Sequence, residues 1–264
     1  MKAISRIICP ITNRPVVPAD CLFCQDPCMP RSLIFSFLER SMNLNERYKI
    51  IGVTESIDCL HRVFYKRTTE VQDFSTKAFS RMIFGTGFHS VSELAPKESI
   101  IWSELPIIRK IDGTDWHLFG IIDAYDPLTG ILWDIKTTTR RIKNDLPLEQ
   151  HKRQLWLYYY LVKDLLRINE LRIVYFYRDS TMSEVIRTFT VPHEDYQKEI
   201  ERLYSTLEIL DNALEANDPQ LLPAPEFSYK CYDCPFRGIC PVKEPPPPNV
   251  ASLDKFMGGR SHEV

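Results

Sequence analysis

The chain has 264 residues, and its 33 Lys and Arg against 35 Asp and Glu give a formal net charge of −2. Hydrophobic residues make up 44% and charged residues 26%, a globular balance that excludes a wholly disordered chain. The near-neutral charge also excludes nucleic-acid binding through bulk positive charge, so such binding would require a local basic surface.

The N-terminal sequence and the cysteine content indicate the compartment. No apolar run approaches the roughly 18 residues that cross a bilayer, and Pro10 interrupts the N-terminus before a signal-peptide core can form. We therefore expect a cytoplasmic protein. In the cytoplasm, the 8 cysteines are more typical of metal sites or catalytic groups than of disulfides.

Four cysteines lie in the first 30 residues, which look irregular and rich in Pro. Their spacing is Cys9-x11-Cys21-x2-Cys24-x3-Cys28. This paired spacing is typical of a small zinc site, which would stabilise a segment with little core. Four thiolates leave no open coordination position, so such a site would be structural or partner-binding. The alternative is four scattered thiols.

Helical patterns follow, and then a predicted sheet. We expect helices over 31–48, from a cap at Thr54, and over 73–94 with a bend near Gly85 and Gly87. Short segments rich in β-branched and aromatic residues then predict a meander of three strands, over 100–108, 116–124 and 131–138. The turn sequence from Asp126 to Gly130 makes the last two strands a hairpin.

The remaining elements complete a mixed α/β sheet. They are a helix over 147–167 with Pro147 in its first turn, strands over 171–177 and 184–191, and a polar amphipathic helix over 193–215. The Pro-rich end from residue 244 has the composition of a disordered tail.

Asp134-Ile135-Lys136 is the candidate chemical centre. In a strand, residues i and i+2 point to the same face, so the Asp134 carboxylate and the Lys136 ammonium project together. Asp123 can face Asp134 across the hairpin. Two close carboxylates repel unless a cation lies between them, and oxygen ligands suit Mg²⁺ or Mn²⁺. The pattern indicates a phosphodiester hydrolysis site, and a cross-strand salt bridge is the alternative.

Four further side chains could belong to this site. Gln154 and Tyr158 are four residues apart and share a helix face, which an ordinary aromatic core would also explain. His89 could supply an imidazole ligand, and Glu104 a carboxylate on the strand before Asp123. A structural histidine and a surface glutamate are the alternatives.

Three cysteines close the globular part of the chain. Cys231-x2-Cys234 places two thiolates on one turn, and Cys240 follows on the same loop. These three and the isolated Cys59 complete a site of four thiolates if the fold brings them together. Thiolates select zinc or an iron–sulfur cluster, and buried free cysteines are the alternative.

Taken in order, these motifs resemble the RecB-like nucleases of the PD-(D/E)XK superfamily, and most closely the CRISPR-associated Cas-four exonuclease family. The resemblance runs over 51–243, between a Cys-rich extension (1–50) and the Pro-rich tail (244–264). The motifs that carry it are Gly52-Val53-Thr54-Glu55, Cys59-Leu60-His61-Arg62, Gly87 with His89, Glu104-Leu105-Pro106, Gly120 to Asp123, Asp134-x-Lys136, Gln154-x3-Tyr158 and Cys231-x2-Cys234-x5-Cys240.

The resemblance implies a restriction-endonuclease-like mixed sheet flanked by helices. It implies a divalent metal held by His89, Asp123, Asp134 and the carbonyl of Ile135, with Lys136 as the catalytic lysine and Gln154 and Tyr158 as the accessory motif. It also implies a 4Fe–4S cluster on Cys59, Cys231, Cys234 and Cys240, which joins the N- and C-terminal parts of the nuclease.

The implied activity is cleavage of DNA, often exonucleolytic on single strands, in the trimming of spacer precursors before a CRISPR integrase inserts them. Leu60 and His61 depart from the family's usual Pro-Arg, and the first 50 residues lie outside the match. Related nucleases also act in repair, recombination and mobile elements. A non-catalytic DNA- or protein-binding module that kept the cluster is the alternative of another class.

A basic segment adjoins the candidate centre. Residues 136–153 carry six basic and two acidic side chains, a net charge of +4, and would give salt-dependent, sequence-independent contacts with DNA phosphates. A solvated surface is the alternative. The DNA-binding candidates beyond Lys136 are Arg140, Arg141, Lys143, Lys152 and Arg153.

Overall fold

The computed structural model describes residues 4–16, 21, 24–25, 28, 49–69, 71–74, 102–138, 147–177, 186–226, 231 and 234–242. Among these residues, no helix is long and apolar enough to cross a bilayer. The predicted helix over 31–48, positions 75–94 of the next one and the tail from 244 lie outside the described residues.

The centre of the fold is a mixed sheet of six strands. They are β3 (Ile50–Gly52), β5 (Trp102–Lys110), β6 (His117–Asp126), β7 (Ile131–Thr138), β8 (Glu170–Tyr177) and β9 (Ile186–Val191). Their order is β3-β6-β7-β8-β9, and β5 also pairs with β6. Strands β5, β6 and β7 form the predicted antiparallel meander, and β7 pairs with β8 in parallel. The predicted mixed α/β architecture is therefore confirmed.

The sheet divides along one edge of β6. Residues 117–119 of β6 pair with β3, and residues 124–126 pair with β7, while β5 lies along the opposite edge of both stretches. Strands β3 and β7 therefore share one edge, and positions 120–123 lie between them. Among the described residues, positions 120–123 of β6 pair with no strand on that edge.

Helices pack on the sheet and enclose the core. They are α1 (Val53–Ser56), α2 (Leu60–Thr68), α3 (Glu149–Val162) and α4 (Tyr196–Ala216). The crossover helix α3 connects the parallel strands β7 and β8 and lies between the sheet and α4. Its Leu155 and Leu157 are fully buried although they point to different sides of the helix, because both faces meet apolar neighbours.

A second, smaller sheet contains the N-terminal segment. Strand β1 (Ile4–Ile8) pairs with β2 (Pro15–Val16) in a hairpin and with β4 (Val71–Phe74) in parallel. The expectation of an irregular N-terminus is therefore wrong over these strands. Positions 73–74 are also strand rather than the start of a helix. The apolar residues of Ile-Ser-Arg-Ile-Ile stand at positions 4, 7 and 8 and do not alternate, so no strand pattern marks β1 in the sequence.

The hairpin between β6 and β7 forms as its turn sequence predicts. The Asp126 carboxylate accepts hydrogen bonds from the Leu128 amide (2.9 Å) and the Thr129 hydroxyl (2.6 Å). Gly130 closes the turn with a φ of +70°, a left-handed conformation that favours glycine. The side chain and the backbone therefore specify the same turn.

Several predicted ends shift. Gly52, not Thr54, precedes α1, and the chain bends at Ile57 before a second helix begins after Cys59. Helix α3 begins after Leu148 and ends at Val162, so Pro147 precedes its first turn. Strand β3 was not predicted, because three residues are too few to show a period.

Candidate active site

The structure brings the two predicted aspartates together where the β6–β7 ladder ends. The last described pair toward this end is Ala124 with Trp133, and one step further Asp123 lies opposite Asp134. Asp123 Oδ2 accepts a hydrogen bond of 2.6 Å from the Ile135 amide. Asp123 is 5% exposed and Asp134 is fully buried. The pair is therefore fixed by backbone geometry.

Lys136 lies on the same face as Asp134. Its Nζ donates to Asp134 Oδ1 over 2.6 Å, and its side chain is 17% exposed. Positive charge stabilises buried carboxylates, and a divalent cation would add to the positive charge that the Lys136 ammonium supplies.

Glu104 adds a third carboxylate through an unusual backbone conformation. It lies opposite Asp123, between the pairs of Ser103 with Ala124 and Leu105 with Ile122. Its φ is +50°, which is uncommon for a residue other than glycine and carries strain. Sequence reasoning placed Glu104 on the right strand but could not foresee this conformation.

Helix α3 supplies the accessory pair. Gln154 Nε2 donates to the Tyr158 hydroxyl over 2.9 Å, and both side chains are buried. Burial, followed by the negative charges of Asp134, Asp123 and Glu104, raises the pKa of Tyr158. Tyr158 therefore stays protonated and presents an O–H group beside three carboxylates.

Gly120 allows α3 to come this close to the sheet. A Cβ atom at position 120 would lie 2.8 Å from Tyr158 Cε1 and 2.9 Å from Leu161 Cδ1. Real Cβ atoms do not tolerate such distances, so a larger residue would shift the side chains of Tyr158 and Leu161. The absence of a side chain at Gly120 thus lets the Tyr158 ring lie against the sheet.

Sequence reasoning missed two residues that hold the first turn of α3. The Tyr175 hydroxyl lies 2.7 Å from His151 Nδ1 and accepts a hydrogen bond of 3.1 Å from the Leu148 amide. Tyr175 is fully buried and pairs in register with Lys136. His151 precedes Gln154 by three residues, so their shared helix face was the available signal.

The basic segment is only partly described. Arg140, Arg141 and Lys143 lie outside the described residues, as does His89. Lys152 is half-buried and pairs with Glu149 over 2.5 Å. The assignment of Lys152 to DNA binding stays a prediction.

Arg153 is a correction to the predicted DNA-binding set. Its guanidinium is buried, its Nε donates to both oxygens of Glu199 (3.0 and 2.9 Å), and its Nη1 donates to Glu226 over 2.9 Å. A buried, paired arginine does not reach a phosphate. It joins α3 to α4 instead, and the sequence pattern of a basic run does not reveal this partner.

The oxygen donors of this site suit a hard divalent cation. The carboxylates of Asp123 and Asp134 and the carbonyl of Ile135 are the ligand types of Mg²⁺ or Mn²⁺. Within the described part of the chain, however, no group of three or more His, Cys, Asp or Glu side chains is arranged to hold a metal ion.

A second region collects four cysteines. Cys59, Cys231, Cys234 and Cys240 line one pocket together with Tyr65 and Phe236. The Tyr65 hydroxyl donates to the Ile239 carbonyl over 3.1 Å, which ties α2 to the C-terminal loop. Burial, and then the neighbouring thiols, raises the pKa of Cys231. The fold therefore brings Cys59 to the C-terminal trio.

Three of the N-terminal cysteines take part in backbone hydrogen bonds. Cys9 follows β1, and its amide donates to the Arg14 carbonyl over 2.9 Å. The Cys24 amide donates to the Cys21 carbonyl over 3.4 Å, and the equivalent bond from Cys234 to Cys231 is 3.3 Å. The two Cys-x2-Cys pairs thus share this backbone hydrogen bond. Cys24 and Cys28 are exposed.

The chain is similar to known proteins over most of its length. The profile of the PD-(D/E)XK nuclease superfamily matches residues 57–241. Eleven chains of solved structures match as well. One of them, titled "Crystal structure of SSO0001", is 25% identical, with a TM-score of 0.59 over 81% of this chain and 96% of that chain. No curated protein matches.

Proposed function

This chain belongs to the PD-(D/E)XK nuclease superfamily, and from that premise we propose that it is a divalent-metal-dependent DNA nuclease with Asp123, Asp134 and Lys136 at its active site. Superfamily members are phosphodiester hydrolases that generally use Mg²⁺ or Mn²⁺. The observation that carries the proposal is the buried Asp123–Asp134 pair with the Lys136 ammonium 2.6 Å from Asp134.

The donor set fits the cation, which Asp123, Asp134, the Ile135 carbonyl and His89 would hold. When bound, the cation polarises the scissile phosphate and makes water a stronger nucleophile. The Ile135 amide fixes the Asp123 carboxylate at 2.6 Å, so this ligand is oriented before any cation binds. Preorganised groups of this kind lower the cost of reaching the transition state.

Lys136 and Tyr158 supply the hydrogen-bond donors around the phosphate. One N–H of the Lys136 ammonium is used by Asp134, and its other donors can orient the attacking water or offset the negative charge that develops on the phosphate. Tyr158 keeps its proton because nearby carboxylates and burial raise its pKa, so it acts as a hydrogen-bond donor. Gln154 holds the Tyr158 hydroxyl, and Glu104 lies beside them.

We further propose that Cys59, Cys231, Cys234 and Cys240 hold a 4Fe–4S cluster. The support is that one pocket gathers four thiols from two distant segments of the chain, and thiolates are the ligands of such clusters. Zinc is the competing occupant. Iron and acid-labile sulfide in an anaerobic preparation, with a brown colour, would distinguish the cluster from zinc.

For the N-terminal cysteines we propose a structural zinc site on Cys9, Cys21, Cys24 and Cys28. The support is the paired spacing of these cysteines and the hydrogen bond from the Cys24 amide to the Cys21 carbonyl, which has an equivalent between Cys234 and Cys231. We expect one zinc per chain in addition to iron. Cys28→Ser should lose the zinc and keep the iron, and a zinc content unchanged by that variant would contradict the site.

A further proposal concerns the DNA substrate and the biological pathway of the nuclease. We propose an exonuclease on single-stranded DNA that trims spacer precursors in CRISPR adaptation, with a CRISPR integrase complex as its partner. A RecB-like nuclease of repair, recombination or a mobile element has the same chemistry. Genes that neighbour the coding sequence separate the two, because an adjacent CRISPR array or integrase gene favours the first.

A cleavage assay tests the activity. End-labelled single- and double-stranded DNA is incubated with Mn²⁺, Mg²⁺ or chelator, with the wild type, Asp134→Ala and a control. The control is Glu194→Ala, which removes a carboxylate that is 75% exposed. We expect metal-dependent cleavage by the wild type and Glu194→Ala only. No cleavage by folded, iron-loaded wild type would favour the non-catalytic DNA- or protein-binding module.

A further inference from the structure

Trp102 is a large exposed aromatic residue at the start of β5. Its side chain is 46% exposed, whereas Trp116 and Trp156 are buried. Its ring packs edge-on against Tyr125 at a centroid distance of 5.7 Å. A single exposed apolar side chain needs no explanation by itself, so its position relative to the carboxylates decides whether it has a role.

The strand register places Trp102 on the face that carries the carboxylates. Trp102 pairs with Tyr125, and Tyr125 pairs with Leu132 on the other side. Directly paired residues project to the same face, and Asp134 follows Leu132 by two residues on that face. Trp102 therefore lies on the same face as Asp134. Its row of paired residues is two residues along the strands from the row of Asp123 and Asp134, a distance of about 6.6 Å.

The indole rests on a rigid support. Tyr125 is buried, and its hydroxyl donates to the Arg167 carbonyl over 2.9 Å. Tyr125 and the β5–β6 ladder hold one side of the Trp102 ring, while much of the rest of its surface faces solvent. Such a ring offers a flat, uncharged surface beside a site that is rich in negative charge.

We propose that Trp102 stacks on a nucleobase of the nucleotide next to the scissile phosphate. This inference rests on the proposed function and deepens it, because a base can stack on an indole only when it is unpaired. The substrate class is therefore a polynucleotide with a single-stranded or frayed end. Stacking is tolerant of sequence because every base has a π-face, and it is independent of the phosphate contacts.

Equilibrium binding tests the inference without turnover. Affinity for a single-stranded oligonucleotide is measured by anisotropy in Ca²⁺, for the wild type, Trp102→Ala, Trp102→Phe and Ile108→Ala. Ile108 is the matched control because it lies on the same strand and is 55% exposed. We expect Trp102→Ala to weaken binding about 5- to 150-fold, Trp102→Phe to weaken it less, and Ile108→Ala to have no effect.

Abasic nucleotides assign the contact. One base at a time is removed from the oligonucleotide, and the loss of affinity is compared between the wild type and Trp102→Ala. At one position the loss should be large for the wild type and absent for the variant. Three outcomes would overturn the inference. They are equal affinity of the wild type and Trp102→Ala, an equal loss of affinity at every abasic position in both proteins, and no binding by the wild type.

The two proposals fail in different ways. If the wild type binds the oligonucleotide through Trp102 but cleaves nothing in Mg²⁺ or Mn²⁺, the proposed nuclease activity is wrong and the stacking role stands. If the wild type cleaves and Trp102→Ala binds and cleaves as well as the wild type, the stacking role is wrong and the nuclease stands. Circular dichroism melting of each variant confirms that it is folded.

Discussion

The carboxylate site and the cysteine pocket are assembled in different ways. Asp123, Asp134 and Lys136 lie within one hairpin, and backbone pairing sets their spacing. The pocket instead joins Cys59 to a loop that begins at Cys231, far away in the chain. The hairpin geometry should therefore be the same with and without a bound divalent cation. The contact between Cys59 and the C-terminal loop should instead depend on the metal or cluster that the thiols bind.

The largest expected effect is a loss of activity without a loss of fold. Lys136→Ala should lower kcat about a hundredfold to a thousandfold, the range for removing a group that stabilises developing charge. The variant should still fold with the iron content of the wild type, because the hairpin ladder remains, although its melting temperature should fall because the buried Asp134 loses its ammonium partner. Cleavage kinetics, calorimetry and iron analysis check this. Lys198→Ala, whose side chain is 80% exposed, is the control.

Unchanged kcat in Lys136→Ala would remove the proposed role of the ammonium. A Lys136→Ala protein that does not fold would contradict the comparison instead, because it would make Lys136 necessary for the hairpin to form. The two readouts therefore separate chemistry from folding at this position.

The second expected effect is a loss of stability at the cysteine pocket, which lowers activity only because less of the protein is folded. Cys231→Ser should lose the iron and destabilise the protein by about 2–5 kcal/mol, similar to the removal of a cross-link between distant segments. Denaturant unfolding and iron analysis measure this. The remaining folded fraction should keep its kcat, because no contact in the hairpin is changed.

Cys28→Ser provides the comparison for the pocket. It removes an exposed thiol in the N-terminal group and should leave the iron content unchanged. A Cys231→Ser protein that is as stable as the wild type would show that the pocket closes without a cluster. The packing of Tyr65 on Phe236, at 5.7 Å between ring centroids, would then be sufficient.

An intermediate effect is expected where helix α3 packs against Gly120 of β6. Gly120→Ala should destabilise the protein by about 1–3 kcal/mol, because the new methyl group overlaps Tyr158 and Leu161. It should also lower kcat about tenfold, since Tyr158 moves away from the carboxylates. Gly238→Ala is the control, because a Cβ there meets no atom within 4 Å. Unchanged stability in Gly120→Ala would mean that α3 moves without cost.

The hairpin site could be predicted from the sequence better than the cysteine pocket, because local pairing forms the first and contacts between distant segments form the second. The Asp126–Gly130 turn and the alternation of the strands predict the hairpin, and the hairpin alone brings Asp123 to Asp134. The convergence of Cys59 with Cys231 was only a conditional expectation, because no local pattern encodes contacts between distant segments. The family resemblance supplied that pairing.

The features that the sequence does not reveal have physical causes. Arg153 looks like one member of a basic run, but its partner Glu199 lies on α4 and cannot be read from the run. Glu104 adopts a left-handed φ that sequence statistics disfavour. Strand β1 finds its parallel partner in β4, more than 60 residues later, so its pairing was invisible locally.

The smallest expected effect concerns the first turn of α3. Tyr175→Phe removes the hydroxyl that contacts His151 Nδ1 at 2.7 Å and the Leu148 amide at 3.1 Å, so it should cost about 1–3 kcal/mol. We expect a fall in kcat of a few-fold, because this turn leads into Gln154. Tyr177→Phe is the matched control on β8, since the buried Tyr177 hydroxyl has no hydrogen-bond partner among the described residues. If both variants unfold at the same denaturant concentration as the wild type, the Tyr175 hydroxyl does not hold the helix, and Gly120 alone sets the position of α3.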